Sequence, residues 1–103
     1  MTQTDENFWT QTQDNTVAVG ITDYAQNMLG EITYVQLPEV GKLVKAGDEV
    51  GVIESLKAVT PLVSPIDGEI CEVNAVLEKK PEIINESPQK NGWIWKMKPT
   101  ING

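Results

Sequence analysis

Apolar and polar residues alternate in short runs along most of this chain, and turn-forming residues separate the runs. "FWTQT" and "TVAVG" flank "QDN", which predicts a β-hairpin over 8–12 and 16–20. "TDYAQNMLG" breaks the two-residue period. Thr22 can cap a helix, Asp23 suits its first turn, Tyr24, Ala25, Met28 and Leu29 form an apolar stripe, and Gly30 can end it. The pattern predicts one short helix near 22–29. "EITYVQL" predicts a strand over 31–37, closed by Pro38. Further strands are expected at 49–54 and 60–63, then along "EICEVNAVL", and last along "WIWKMK". "SPIDGE" is a turn, and "KKPEIINESPQKNG" reads as a polar loop.

The sum is an all-β fold, a flattened sandwich or barrel of antiparallel strands with turns roughly every 8–12 residues. Residues 1–7 read as a flexible N-terminus, 8–99 as one domain, and 100–103 as a loose end. "VGKLVKAGDEVGVIES" is faintly echoed by "LVSPIDGEICEVNAVL". Two similar turn-plus-strand units suggest a quasi-twofold arrangement about the segment between them.

Composition narrows the function. The 103 residues carry a formal net charge of −7, with eight lysines and no arginine. A nucleic-acid binder would carry a basic patch, and a tight anion site would use arginine forks. With no histidine, the commonest general base and metal ligand is missing, so a non-catalytic protein without a metal is expected. One cysteine, Cys71, cannot close an internal disulfide, and its strand context predicts a small buried hydrophobe. The polar, acidic start "MTQTDENFWT" lacks the pattern of a secretion signal, and no apolar run could span a bilayer. A cytoplasmic protein is expected.

Lys57 is the residue that composition does not explain. It sits in "ESLKAVTP", at the turn between two predicted strands. An exposed turn lysine usually serves solubility alone. Here Glu54 precedes it by three residues, Ala58 follows directly, Gly41 lies sixteen residues before and Gly68 eleven after. This arrangement resembles the lipoyl domains. The segments 17–41 ("VAVGITDYAQNMLGEITYVQLPEVG"), 46–58 ("AGDEVGVIESLKA"), 64–74 ("SPIDGEICEVN") and 81–99 ("PEIINESPQKNGWIWKMKP") more closely resemble the glycine cleavage H-protein family.

The resemblance implies a barrel-sandwich hybrid of two antiparallel sheets, with lipoate attached as an amide to Lys57. It implies a carrier of an aminomethyl group and electrons in glycine catabolism, and not an enzyme. The implied partners are a lipoate ligase or lipoyl/octanoyl transferase, and then the glycine cleavage decarboxylase, aminomethyltransferase and dihydrolipoyl dehydrogenase. No nucleic acid or membrane is among them, and a monomer is expected. Glu54, Ala58, Gly41 and Gly68 are the features that a lipoylating enzyme would recognise, although turn geometry is the simpler requirement at the two glycines.

Two departures from the family pattern stand out. Phe8 in "ENFW" and Pro61 in "KAVTP" occupy positions where the family places carboxylates, which the resemblance associates with holding the amine on a loaded arm. The family also continues into a C-terminal helix. These departures raise a second reading, a lipoyl relay or regulatory protein that passes lipoyl groups to other acceptors or is itself ADP-ribosylated. A third reading is an interaction domain with Lys57 unmodified. Trp93 and Trp95, two apart, are expected on one face of the last strand, packing the core.

Overall fold

The alternating runs become strands because each buries one face. The computed structural model describes residues 2–4 and 6–100. Among these, nine strands form two antiparallel sheets. In the larger, the order is β1 (Thr2–Thr4), β2 (Phe8–Gln13), β3 (Thr16–Ile21), β9 (Trp95–Pro99), β8 (Gly68–Val73) and β5 (Leu43–Val44). In the smaller, β6 (Glu49–Ser55) lies between β4 (Ile32–Gln36) and β7 (Val59–Val63). The β2–β3 hairpin turns at Asp14, whose φ of 56° is one that aspartate tolerates better than most residues.

The inner faces share one core. Val19, Ile70, Trp95 and Met97 of the larger sheet meet Ile53 and Leu62 of the smaller, all fully buried. Each such side chain contributes about 1.5–3 kcal/mol on leaving water. Pro61 is tolerated within β7 because β7 is an edge strand, where a missing N–H breaks no ladder.

Helix α1 (Asp23–Leu29) starts as its sequence predicts: the Thr22 hydroxyl accepts the Ala25 N–H at 3.1 Å. That hydroxyl also donates to the Glu6 carbonyl at 2.7 Å, and the Thr22 N–H donates to Asn7 O at 2.9 Å. The cap therefore ties the strand-to-helix corner to the segment entering β2.

The echoed turn units meet physically. The Gly47 N–H donates to Ser64 O at 2.8 Å, the Ser64 N–H to Asp48 O at 2.9 Å, and the Ala46 N–H to the Asp67 carboxylate at 2.8 Å. This cluster forms the base of the β6–β7 hairpin, and Lys57 lies at its other end.

Several elements differ from the sequence reading. Within 1–7, Thr2–Thr4 pairs with Gln11, Thr10 and Trp9 of β2. Residues 1 and 5, and 101–103 of the expected loose end, lie outside the described residues. The strand expected through "EICEVNAVL" stops at Val73. Asn74 turns inward, donating to the Asn91 and Trp93 carbonyls at 2.9 and 2.8 Å, and a 3-10 turn (Ala75–Glu78) follows. The expected polar loop holds a single α-helical turn, α2 (Ile83–Glu86), whose Ile84 is fully buried. One turn is too short for a helical period to show. A bulge between Ile70 and Glu72 takes Cys71 out of strict alternation and leaves it half-buried. Trp93 lies ahead of β9, so it does not share a strand face with buried Trp95; Lys96 sits 4.8 Å over its ring.

Asn85 of α2 joins this helical turn to the rest. Its amide donates to Gln26 Oε1 at 2.9 Å and Gly30 O at 2.8 Å, and its carbonyl accepts the Ile32 N–H at 2.9 Å. Asn85→Ala orphans a buried N–H and a helix-end carbonyl, so it should lower stability by about 2–3 kcal/mol. Urea unfolding should show this as a lower midpoint at unchanged slope. A loss under about 0.5 kcal/mol would show that the clamp carries no load.

Candidate functional site

Lys57 lies where β6 and β7 meet, and the local sequence explains its presentation. Two-residue hairpin loops usually need positive φ values. None of Ser55, Leu56, Lys57 and Ala58 has one. The Ser55 side chain compensates: its hydroxyl accepts the Lys57 and Ala58 N–H groups at 3.2 and 3.1 Å and lies 3.2 Å from the Ala58 carbonyl, positioned to donate. The Ser55 N–H donates to the same carbonyl at 2.9 Å. From the side, the Leu56 N–H donates to Glu31 O at 3.2 Å, fastening the tip to the segment entering β4.

The Lys57 side chain extends over the end of α1. A methyl group on Gly30 would sit 3.6 Å from its Cε and 4.0 Å from its Nζ. Gly30 has φ 76°, and its N–H closes the helix on Gln26 O at 2.9 Å. The last turn of α1 contains no basic residue, so the Lys57 ammonium is the cation that faces this helix end, where carbonyls leave partial negative charge. Among the described residues Lys57 forms no ion pair. It is solvent-exposed, and its neighbours Leu56 (74%), Val59 (67%) and Met28 (62%) are exposed apolar side chains.

Beside the tip runs a groove of about 370 Å³ between α1 and β7. Phe8, Ile21, Met28, Leu29, Thr60 and Pro61 are among the residues that line it, and among the described residues no ionisable side chain does. Phe8 and Pro61, far apart in sequence, thus share one wall system next to the lysine turn.

The other residues singled out from sequence divide into two groups. Glu54 and Ala58 share the hairpin end with Lys57; Glu54 is half-buried opposite Tyr34 and Val59, and Ala58 is exposed. Gly41 and Gly68 lie by the β5–β8 edge, near the hairpin base. β6 spans seven residues, so the base is about 20 Å from the tip at ~3.3 Å per residue. Gly41 has φ 93° and donates its N–H to Ile70 O at 2.7 Å; a Cβ on Gly68 would meet Lys98 O at 2.5 Å. Backbone geometry accounts for both. Sequence reasoning passed over Ser55 and Asn85, and it read Gly30 as a helix end without its proximity to Lys57. Serine at the first position of a turn was a readable signal; the other two contacts depend on distant segments.

The protein-family model described as "Glycine cleavage H-protein" matches residues 1–102. The chain is 50% identical over 95 residues to the glycine cleavage system H protein of Thermus thermophilus, covering 92% of this chain and 74% of that one. It is 53% identical over 98 residues to a probable glycine cleavage system H protein of Thermococcus kodakarensis, covering 94% and 72%. The crystal structure of a glycine cleavage system H protein from Mycobacterium marinum superposes with a TM-score of 0.88 at 39% identity, covering 99% of this chain and 85% of that one.

The tip should be stiff through Ser55 and indifferent to Lys57. Lys57→Ala should change stability by less than about 0.5 kcal/mol, whereas Ser55→Ala should cost about 1 kcal/mol and speed amide exchange at Ala58. Denaturant unfolding and hydrogen exchange measure both. A loss of several kcal/mol in Lys57→Ala would make the lysine structural.

Proposed function

The chain belongs to the glycine cleavage H-protein family, and from that membership we propose that it is a lipoyl carrier acylated on the Lys57 amine. The observation that carries the reading is a lysine exposed, unpaired among the described residues, and held at a stiffened hairpin tip. Attachment forms an amide between Nζ and the carbonyl carbon of an activated acyl group; the activating group leaves, the amine gives up a proton, and the positive charge is lost. When bound, lipoate supplies a redox-active dithiolane, which no side chain here provides.

This protein's own residues present the arm. Ser55 fixes the backbone on either side of the attachment point. Glu54 and Ala58 offer recognition points beside it, and Leu56 and Val59 form an apolar rim that a partner would cover. Presentation at a tip suits successive visits to several enzymes, which a buried lysine would not allow. In this reading a lipoate ligase or lipoyl/octanoyl transferase loads residue 57, and the glycine cleavage decarboxylase, aminomethyltransferase and dihydrolipoyl dehydrogenase use the arm. The net charge of −7 favours docking on basic surfaces, with association slowed by salt. The protein is a substrate of these enzymes, acting as a monomer in the cytoplasm, where a chain with one cysteine needs no oxidising environment.

A second reading, a relay that passes lipoyl groups to other acceptors, draws on the groove. With Phe8 and Pro61 in its lining and no carboxylate among the described residues there, it offers a protonated amine only the neutral polar side chains of Asn7 and Thr60.

Two experiments test these readings. A lipoate ligase with ATP should add one lipoyl group to Lys57 and leave folded Lys57→Ala unchanged by intact mass; modification of that folded variant would overturn the assignment. Lipoylated protein loaded with glycine by the decarboxylase should release formaldehyde and ammonia about tenfold faster than a relative with carboxylates at these positions. That corresponds to about 1.4 kcal/mol, within the worth of a charged hydrogen bond. Phe8→Glu with Pro61→Asp should slow the release; equal rates in the original protein and the relative would remove support for the relay.

A further inference from the structure

We propose that the groove between the 3-10 turn Ala75–Glu78 and α2 is a docking point for an arginine side chain of a partner protein, separate from the Lys57 tip. The groove encloses about 610 Å³, and Asn74, Glu82, Glu86 and Trp93 are among its lining residues. Asn74 is the buried member, only 8% exposed. Its Nδ2 donates to the Asn91 and Trp93 carbonyls at 2.9 and 2.8 Å, and among the described residues no donor reaches its Oδ1. Among those residues no fully buried side-chain oxygen lacks a partner, so Oδ1 keeps access to solvent, and the groove is the opening that Asn74 lines. A buried acceptor of this kind calls for a donor. Glu82 and Glu86 are exposed, and among the described residues neither forms an ion pair.

These features select a guanidinium. It is a cation for the two carboxylates. It carries several N–H donors, so one can reach Asn74 Oδ1 while others meet a carboxylate, and its plane can stack on the Trp93 ring. A lysine ammonium is a compact point charge and makes poorer use of such a wall. Lys80 also lines the groove, but two carboxylates against one ammonium leave it negative. Lys96, 4.8 Å over the Trp93 ring, is balanced by Glu72 at 3.8 Å. The net charge of −7 draws basic partners toward the chain. Because the groove is open and its carboxylates are exposed, a side chain can enter while its own backbone stays outside, which suits a residue presented on a protein surface. Asn85 ties α2 to Gln26 and to Gly30, which lies beside Lys57, so a partner held here is held at a fixed offset from the tip.

The test uses the full chain and short capped peptides at constant ionic strength. Acetyl-glycyl-arginyl-glycine amide should shift the resonances of the Trp93 indole N–H and the Asn74 side-chain amide saturably, in the millimolar range. The same peptide with citrulline, neutral and of similar shape, should shift them no more than acetyl-triglycine amide does. Glu82→Gln and Glu86→Gln should each weaken arginine binding about threefold, as exposed ion pairs do, and Glu69→Gln on β8, outside the groove, should leave it unchanged. Equal binding of the citrulline peptide, no saturable shift, or the same loss in Glu69→Gln would overturn the inference. A lysine peptide binding as tightly would overturn the choice of arginine, and free L-arginine binding more tightly than the capped peptide would overturn the protein partner. None of these outcomes depends on acylation of Lys57, so the carrier reading stands or falls separately.

Discussion

The Ser55 hydroxyl is the contact on which the site depends. A hairpin tip without positive φ would otherwise leave its N–H groups to water, and a lysine there would sample many directions. Ser55 satisfies the Lys57 and Ala58 N–H groups, and Leu56 ties the same turn to Glu31. Behind Glu31 stands Asn85, which holds the Gly30 carbonyl and the Ile32 N–H on either side of it. A chain of short contacts thus runs from a helical turn at residues 83–86 to the tip of β6–β7. Order at an exposed position is set by backbone hydrogen bonds made elsewhere in the fold.

Charge and apolar surface divide the labour around that tip. The ammonium of the free lysine faces the end of α1, while the groove alongside is lined mostly by apolar side chains. Pro61 serves both fold and site. On the edge strand β7 it removes a donor that a foreign strand could use, and in the groove it forms part of the apolar wall. Phe8 extends the same apolar wall from β2.

Much of this was legible in the sequence. Two-residue alternation located most strands, and Thr22 and Gly30 delimited α1, because those signals act within a few residues. The "ESLKA" turn and its family resemblance picked out Lys57. Other features were not legible, for physical reasons. α2 is one turn long, with a single fully buried residue, Ile84, and shows no period. The bulge at Cys71 is a matter of pairing with β9, so alternation alone predicted burial that the strand does not deliver. Trp93 and Trp95 were expected to share a face because the start of β9 cannot be read from spacing. Gly41 and Gly68 lie near the hairpin base, a distance that linear offsets conceal. Phe8 and Pro61 were noticed separately, and only the packing of β2, α1 and β7 joins them in one groove.

The central claim is that Lys57 is a carrier's attachment point. The most direct measurement is the intact mass of the protein purified from its native source, with the modified residue mapped by fragmentation. The account predicts a lipoyl or octanoyl amide on Lys57 and on no other lysine. Native protein with Lys57 free in cells that lipoylate their other carriers would contradict it.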